Sequence, residues 1–280
     1  MVATSGVLPV ILLAGCCFGQ NPDKQPMTAN AIMAHVAVNQ DRAENLRKEY
    51  VYKQHLRIVT RKLNSRLMRE ETAGYRVIPS PDGTTKDLQL LTGRYWHKGQ
   101  YVAFKGEPVP EPESLDGDLI HNFREDLNND RSKDSLARNL FPLTTDEQKD
   151  YQFHLIGQEM FEGRSAYHVG FSPKNKDEMT WAGEAFIDAT DFQPILIFTK
   201  LSRRMPFMVR TAMGTDLPGI GFTVHYKRQD DGVWFPTSLG TEFRLRALFF
   251  INRQISMSLE NTAFEHTHVE SKITVVERER

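Results

Sequence analysis

Along most of this chain apolar and polar side chains alternate one by one, the period of a half-buried β-strand. Two stretches break that rhythm. In the first, Ile32, Val36, Ala43 and Leu46 recur at helical spacing behind Thr28, a residue able to cap a helix. The spacing predicts a helix from about Thr28 to Lys48, with a weak turn near Asn39 and Gln40. In the second, Leu115, Leu119, Phe123 and Leu127 recur at every fourth position. They predict an amphipathic helix, and Ser132 to Leu140 a second short one ended by Pro142. This helical insert, about 114–140, interrupts the strands.

Tyr50 to Val59 is the first β run. Leu67 to Ile78 is its continuation or hairpin partner, stopped by Pro79 and the Pro81-Asp82-Gly83 turn. Short strands fit Leu88 to Tyr95 and Tyr101 to Lys105. From Tyr151 onward nearly everything reads as strand. The runs are Tyr151 to Leu155, Tyr167 to Phe171, Trp181 to Asp188, Ile195 to Leu201, Phe207 to Met213 and Phe222 to Tyr226. Gly214 to Gly219 reads as a loop. Asp230-Asp231-Gly232 is a hairpin signal, and Val233 to Thr237 returns from it. The longest run is Thr241 to Glu260, and Val269 to Val275 closes the chain.

The connections are short, which favours a meander of roughly ten antiparallel strands over βαβ crossovers. The expected class is α+β, mainly antiparallel β. Two runs, Ile195-Leu196-Ile197-Phe198 and Leu248-Phe249-Phe250-Ile251, are apolar on both faces. A sheet with one wet face does not need that. A strongly curved sheet wrapped over a helix accounts for it, and an incompletely filled concavity would be an apolar pocket.

Composition narrows the picture. The chain has 280 residues, 40% hydrophobic and 25% charged, which is globular and long enough for a sizeable core. One domain over about 28–276, followed by a charged tail at 277–280, is expected. Lys and Arg total 35 against 36 Asp and Glu, so the net charge of −1 argues against a nucleic-acid partner. The two cysteines are Cys16 and Cys17. No disulfide framework and no cysteine-based zinc site can therefore form in the domain.

Val7 to Leu13 is an apolar run with the size of a signal-peptide core, too short to span a bilayer. It ends in Leu13-Ala14-Gly15-Cys16, which resembles the lipobox of bacterial lipoprotein signals. Residues 1–19 are thus expected to be a signal peptide and 20–27 a tether. Export to the periplasm or cell envelope follows. The lipobox resemblance implies acylation of Cys16 and a membrane anchor through it. Met1 to Gly6 carries no Lys or Arg, a departure from the usual positive segment. A start upstream, or ordinary cleavage near Cys17-Phe18-Gly19, would account for it.

Three stretches carry a wider resemblance. They are Tyr151-Gln152-Phe153-His154-Leu155-Ile156-Gly157, then Glu162-Gly163-Arg164-Ser165-Ala166-Tyr167-His168-Val169, then Gly183-Glu184-Ala185-Phe186-Ile187-Asp188 with Pro194 after it. This strand, Gly-Arg turn, strand and hairpin pattern resembles the LolA/LolB/RseB-like superfamily, the outer-membrane lipoprotein-sorting-protein-like proteins of bacteria. The resemblance implies an open half-barrel of antiparallel strands, with the N-terminal helix and the insert covering its concave face. It implies a cavity for acyl chains of lipids or lipoproteins, or, as in RseB-like relatives, a surface for an envelope protein. Some carriers latch their lid with an arginine, and the sequence shows no clear counterpart.

No catalytic motif is present: there is no G-x-S-x-G, H-E-x-x-H, Walker loop or G-x-G-x-x-G. The expected protein is therefore not an enzyme and uses no cofactor. His266-Thr267-His268 is the best metal candidate, but reads more simply as a polar strand segment, so no metal site is assigned. Asp188 and Asp191 read as turn residues. The expected cavity lining is Phe198, Met208, Met213, Phe222, Phe249, Ile251 and Met257, soft or aromatic side chains suited to variable chains. Arg203, Arg204 and Arg210, with Lys200 nearby, are expected to contact anionic headgroups.

Overall fold

All the strands among the described residues pair antiparallel in one sheet, and its two end strands do not pair with each other. The computed structural model describes residues 27–80, 83–107, 114–129, 141–176, 180–202, 215–216, 220–247 and 251–267. The strands are β1 (Tyr50–Arg61), β2 (Leu67–Ser80), β3 (Gly83–His97), β4 (Gln100–Lys105), β5 (Tyr151–Phe161), β6 (Arg164–Pro173), β7 (Trp181–Asp188), β8 (Pro194–Leu201), β9 (Thr215–Asp216), β10 (Gly221–Arg228), β11 (Trp234–Ala247) and β12 (Ile251–His266). The helices are α1 (Ala29–Arg47), α2 (Leu115–Asn129) and α3 (Thr145–Gln148). The order across the sheet is β4-β3-β2-β1-β12-β11-β10-β8-β7-β6-β5, with β9 added beside β11. β4 and β5 are free ends, so the sheet is an open half-barrel rather than a closed one.

Alternation decides which face is dry. On β1, Leu56 and Ile58 lie opposite Leu259 and Met257 of β12, and all four point to the same side. Leu239, Val224, Ile197, Ala185 and Val169 continue that face strand by strand. Both long helices lie on it: α1 inserts Ile32, Met33 and Val36, and α2 inserts Ile120, into one continuous apolar cluster with the strands. Thr28 caps α1 by accepting from the Ala31 amide at 3.2 Å.

Four sequence expectations change. The turn near Asn39 and Gln40 does not form, because the sheet uses both side chains. Asn39 donates to the Asp191 carbonyl at 2.8 Å, and Gln40 bonds to Gln193, which holds α1 intact past this point. β3 starts at Gly83 rather than Leu88, since its pairing with β2 runs down to the tight turn. The run from Thr241 to Glu260 is two strands: β11 and β12 pair from Ala247–Ile251 to Ser238–Glu260. Leu248-Phe249-Phe250 lie outside the described residues. Finally, α3 was not foreseen. Thr144 and Glu147 form a capping box that seeds this single turn. The segments Ser132 to Leu140, Phe207 to Met213 and Val269 to Val275 lie outside the described residues.

Candidate binding groove

α2 is held across the sheet by charge as well as by apolar packing. At one end Arg253 of β12 grips Asp116 with two bonds of 2.7 and 2.9 Å. In the middle the Phe123 ring meets Phe243 edge-on at 6.1 Å. At the next residue Arg124 donates to Glu71 of β2 at 2.8 Å, and Arg69 donates to the other oxygen of Glu71 at 3.1 Å. All three side chains are only 4% exposed. Arg124 also reaches Glu107 at 2.6 Å. At the far end Lys86 of β3 donates to the Leu127 carbonyl at 2.5 Å. The helix thus bridges from β11–β12 to β2–β3, and Arg124 is an arginine that latches it to the sheet.

A second anchor lies under α1. Asp188, at the end of β7, is buried, and its carboxylate accepts from the Thr190 and Asp191 amides at 2.8 Å each and from Arg164. Arg164 lies over the Trp234 ring at 5.3 Å, and Trp234 donates to Asp191 at 3.0 Å. Burial by itself would raise the Asp188 pKa. The Asp191 amide, the Arg164 guanidinium and the Thr190 amide outweigh it and hold the carboxyl below its ordinary value. A depressed carboxylate contributes stability above its unfolded pKa and loses it as pH falls through the folded one. Asp188→Asn is therefore expected to destabilise the protein at neutral pH, with the deficit shrinking below about pH 4. Urea melts of both forms at neutral and acid pH check this, and a deficit independent of pH contradicts it.

The groove lies where β7, β8, β10, β11 and β12 run side by side, with a volume of about 830 Å³. Glu184, Phe198, Thr223 and Gly240 form one register row across four of these strands. Lys200 and Gly221, with Glu242 and Ser256, belong to the next row on the same side. These residues alternate with the core-facing ones and so line the sheet's opposite face. Thr199, Phe222, Thr241 and Met257, from the core-facing rows, complete the lining. Phe198 is 57% exposed there, a large apolar side chain left in water. Gly240 adds nothing to the groove: a Cβ at this position would meet no atom within 4 Å. Gly183 and Gly221 have a different task. They flank β8 so closely that a Cβ on either would overlap the carbonyl oxygen of Phe198 or Thr199. The Thr241 hydroxyl donates to the Gly221 carbonyl at 2.7 Å, whereas the buried Thr199 hydroxyl has no partner among the described residues.

Phe198, Phe222 and Met257 border this groove from two sides: Phe198 projects from the outer face, and Phe222 and Met257 pack toward the core, so the groove is not the helix-covered concavity that the sequence predicts. Ile251 is half-buried at the start of β12, opposite Ala247, and is not among the residues lining the groove. Met208, Met213, Phe249, Arg203, Arg204, Arg210 and Cys16 lie outside the described residues, as does His268. His266 pairs with Glu49 at 3.0 Å at the end of β12 rather than at a strand start. His168 sits between Glu184 at 2.8 Å and Glu159 at 3.4 Å. No group of three metal-ligating side chains occurs among the described residues. Lys200 stands in the expected basic cluster, whereas the carboxylates of Glu184 and Glu242 were not foreseen. Isolated glycines inside strand patterns, at positions 183, 221 and 240, were the available signal for a close backbone approach or an open site.

Chemically the groove offers aromatic and thioether surface beside one cation and two carboxylates. Its volume falls within the range of small-molecule sites, about 300–1,000 Å³. No helix among the described residues is long and apolar enough to cross a membrane. No family model matches the chain, and no curated protein matches its sequence. Solved structures are similar to it over most of its length at low identity. A LolA superfamily protein from Nitrosomonas europaea is 11% identical, with 88% of this chain and 96% of that one covered and a TM-score of 0.35. A protein described as an outer-membrane lipoprotein-sorting protein domain, from Vibrio parahaemolyticus, is 11% identical over 85% and 95%, at 0.36. A chain of the Pseudomonas aeruginosa MucA/MucB complex is 10% identical over 84% and 99%, at 0.22. The half-barrel assignment rests on the strand order and register described above, not on these likenesses.

Proposed function

We propose that this is an exported, non-enzymatic protein of the periplasm or cell envelope that binds acyl chains of lipids or lipoproteins in the groove across β7, β8 and β10–β12. The observation that carries the reading is an open site of about 830 Å³ on the face away from the helices, with the Phe198 ring exposed in it beside Lys200. Binding draws on apolar burial, about 0.8 kcal/mol per CH2. Roughly ten buried methylenes supply about 8 kcal/mol gross, from which the cost of association is subtracted. Lys200 at the edge suits a phosphate or carboxylate headgroup. An acyl group on Cys16 would tether the protein and make it a receptor or sensor rather than a free shuttle.

A second reading has its own observation. β5 is a free edge with Leu155, Ile156 and Met160 exposed, a template for adding a partner's strand. It favours an envelope interaction module that holds a protein, as RseB-like relatives do.

Titration with a fluorescent fatty acid separates the two. Gly240→Trp places a large ring in the empty part of the groove. It is expected to weaken fatty-acid binding at least tenfold, about 1.4 kcal/mol, while the melting temperature stays within about 2 °C. Unchanged affinity would remove the groove from the account.

A further inference from the structure

We propose that one rim of the sheet docks on anionic lipid bilayers through residues separate from the groove. In an antiparallel sheet the chain reversals fall on two opposite rims, and here they are sorted by charge. One rim carries Arg61, Lys62 and Arg66 at the β1–β2 turn, Lys98 at the β3–β4 turn, and Arg244 and Arg246 at the end of β11. The opposite rim carries Glu49, Glu162, Asp191, Asp230, Asp231 and Glu265 beside Lys48 and Lys227, and its Arg164 and Arg228 are paired with Asp188 and Asp191. A chain of net charge −1 therefore presents a basic end.

The basic residues are neighbours. Arg61 and Arg244 both lie opposite Gln254, on either side of it, so they sit two strands or about 10 Å apart. Asp216 lies opposite Arg246, Asp116 is held by Arg253, and Glu242 accepts from Gln254. The apolar chemistry is of the interfacial kind. Leu63 is 57% exposed at the tip of the β1–β2 turn, flanked by Lys62 and Arg66. Arg66 lies over the Trp96 ring at 5.5 Å, and Trp96 meets Tyr101 edge-on at 5.0 Å. Tyr101 is itself 44% exposed. Cations around an exposed leucine, with a Trp–Tyr pair at the same height, suit a headgroup layer over acyl chains. A nucleic acid would also meet the cations but has no use for the leucine. The inference stands apart from the groove: it concerns how the protein approaches a surface, not what it carries.

The test uses the full chain bearing Cys16→Ser, so that no acyl group anchors it, and sedimentation with phosphatidylcholine vesicles with or without phosphatidylglycerol. The expected result is sedimentation with the phosphatidylglycerol vesicles alone, lost at high salt. Each cation near the surface contributes about fivefold, so Lys62→Glu with Arg66→Glu should weaken binding by well over twentyfold. Leu63→Ser should weaken it several-fold without changing its salt dependence. Lys227→Glu, near the other rim, should leave it unchanged. Equal binding to both vesicle types, or binding of the double variant like the parent, overturns the proposal. Tighter, salt-sensitive binding to a DNA duplex than to vesicles would assign the rim to polyanions in general and overturn it as well. Fatty-acid binding should be normal in every rim variant, so failure here leaves the groove reading intact.

Discussion

Glu71→Ala is expected to lower the melting temperature by roughly 10 °C and to release α2 from the sheet. Glu71 is the one buried acid between Arg69 and Arg124, at 3.1 and 2.8 Å. Removing it leaves two buried guanidinium groups facing each other without the buried carboxylate they share, Arg124 keeping only the exposed Glu107. Breaking such a group costs about 3–5 kcal/mol, and each kcal/mol is worth about 2–4 °C in a protein of this size. The loss is local in origin, so hydrogen exchange should speed up first over Leu115–Asn129, while β5–β8 stay protected. Two variants sharpen the point. Glu71→Gln keeps the shape and part of the hydrogen bonding and should fall between. Replacing Arg69, Glu71 and Arg124 together by Met, Leu and Met should restore much of the stability, because no buried charge then remains. A shift below about 2 °C for the alanine variant would mean that apolar contacts such as Ile120 and Phe123, not charge, hold the helix.

The second large effect concerns backbone rather than charge. Gly183→Ala is expected to destabilise by about 1–3 kcal/mol or more, since its methyl group would overlap the Phe198 carbonyl and force β7 away from β8. Gly240→Ala is the matched control: its Cβ meets nothing within 4 Å, so stability should hardly change. Thermal melts of the two alanine variants decide the matter. The displaced strand also carries Glu184 into the groove, so Gly183→Ala should weaken ligand binding as well. Equal stability of the two variants would show that β7 and β8 can separate freely, contrary to the close approach described here.

Much of the architecture is legible because hairpin signals and period-two patterns are local. Thr28 caps its helix, and turns at Glu162-Gly163 and Asp230-Asp231-Gly232 form where the residues predict them. The latch is non-local: Arg124 and Glu71 are 53 positions apart, and no spacing rule joins them. A hint was nonetheless present. Leu67, Arg69, Glu71, Ala73, Tyr75 and Val77 share one face of β2, so two opposite charges stand in an otherwise apolar row. Such a pair must find partners in the core, which means a helix carrying charge across it. The groove was half legible. Phe198, Phe222 and Met257 were expected as lining from their type, but the register that aligns Phe198 with Thr223 and Gly240 depends on strand order, which composition does not reveal. The β11–β12 pairing was hidden for a related reason: no Gly, Pro or Asn-Gly signal breaks the run from Thr241 to Glu260.

The most direct test of acyl-chain binding is photolabelling with a diazirine-bearing fatty acid followed by peptide mapping. The account predicts saturable labelling on β8, β10 and β12, at Phe198 and its neighbours on the same face such as Thr223 and Ser256, abolished by excess unlabelled fatty acid. Labelling confined to the β5 edge, or labelling that does not saturate, would contradict it.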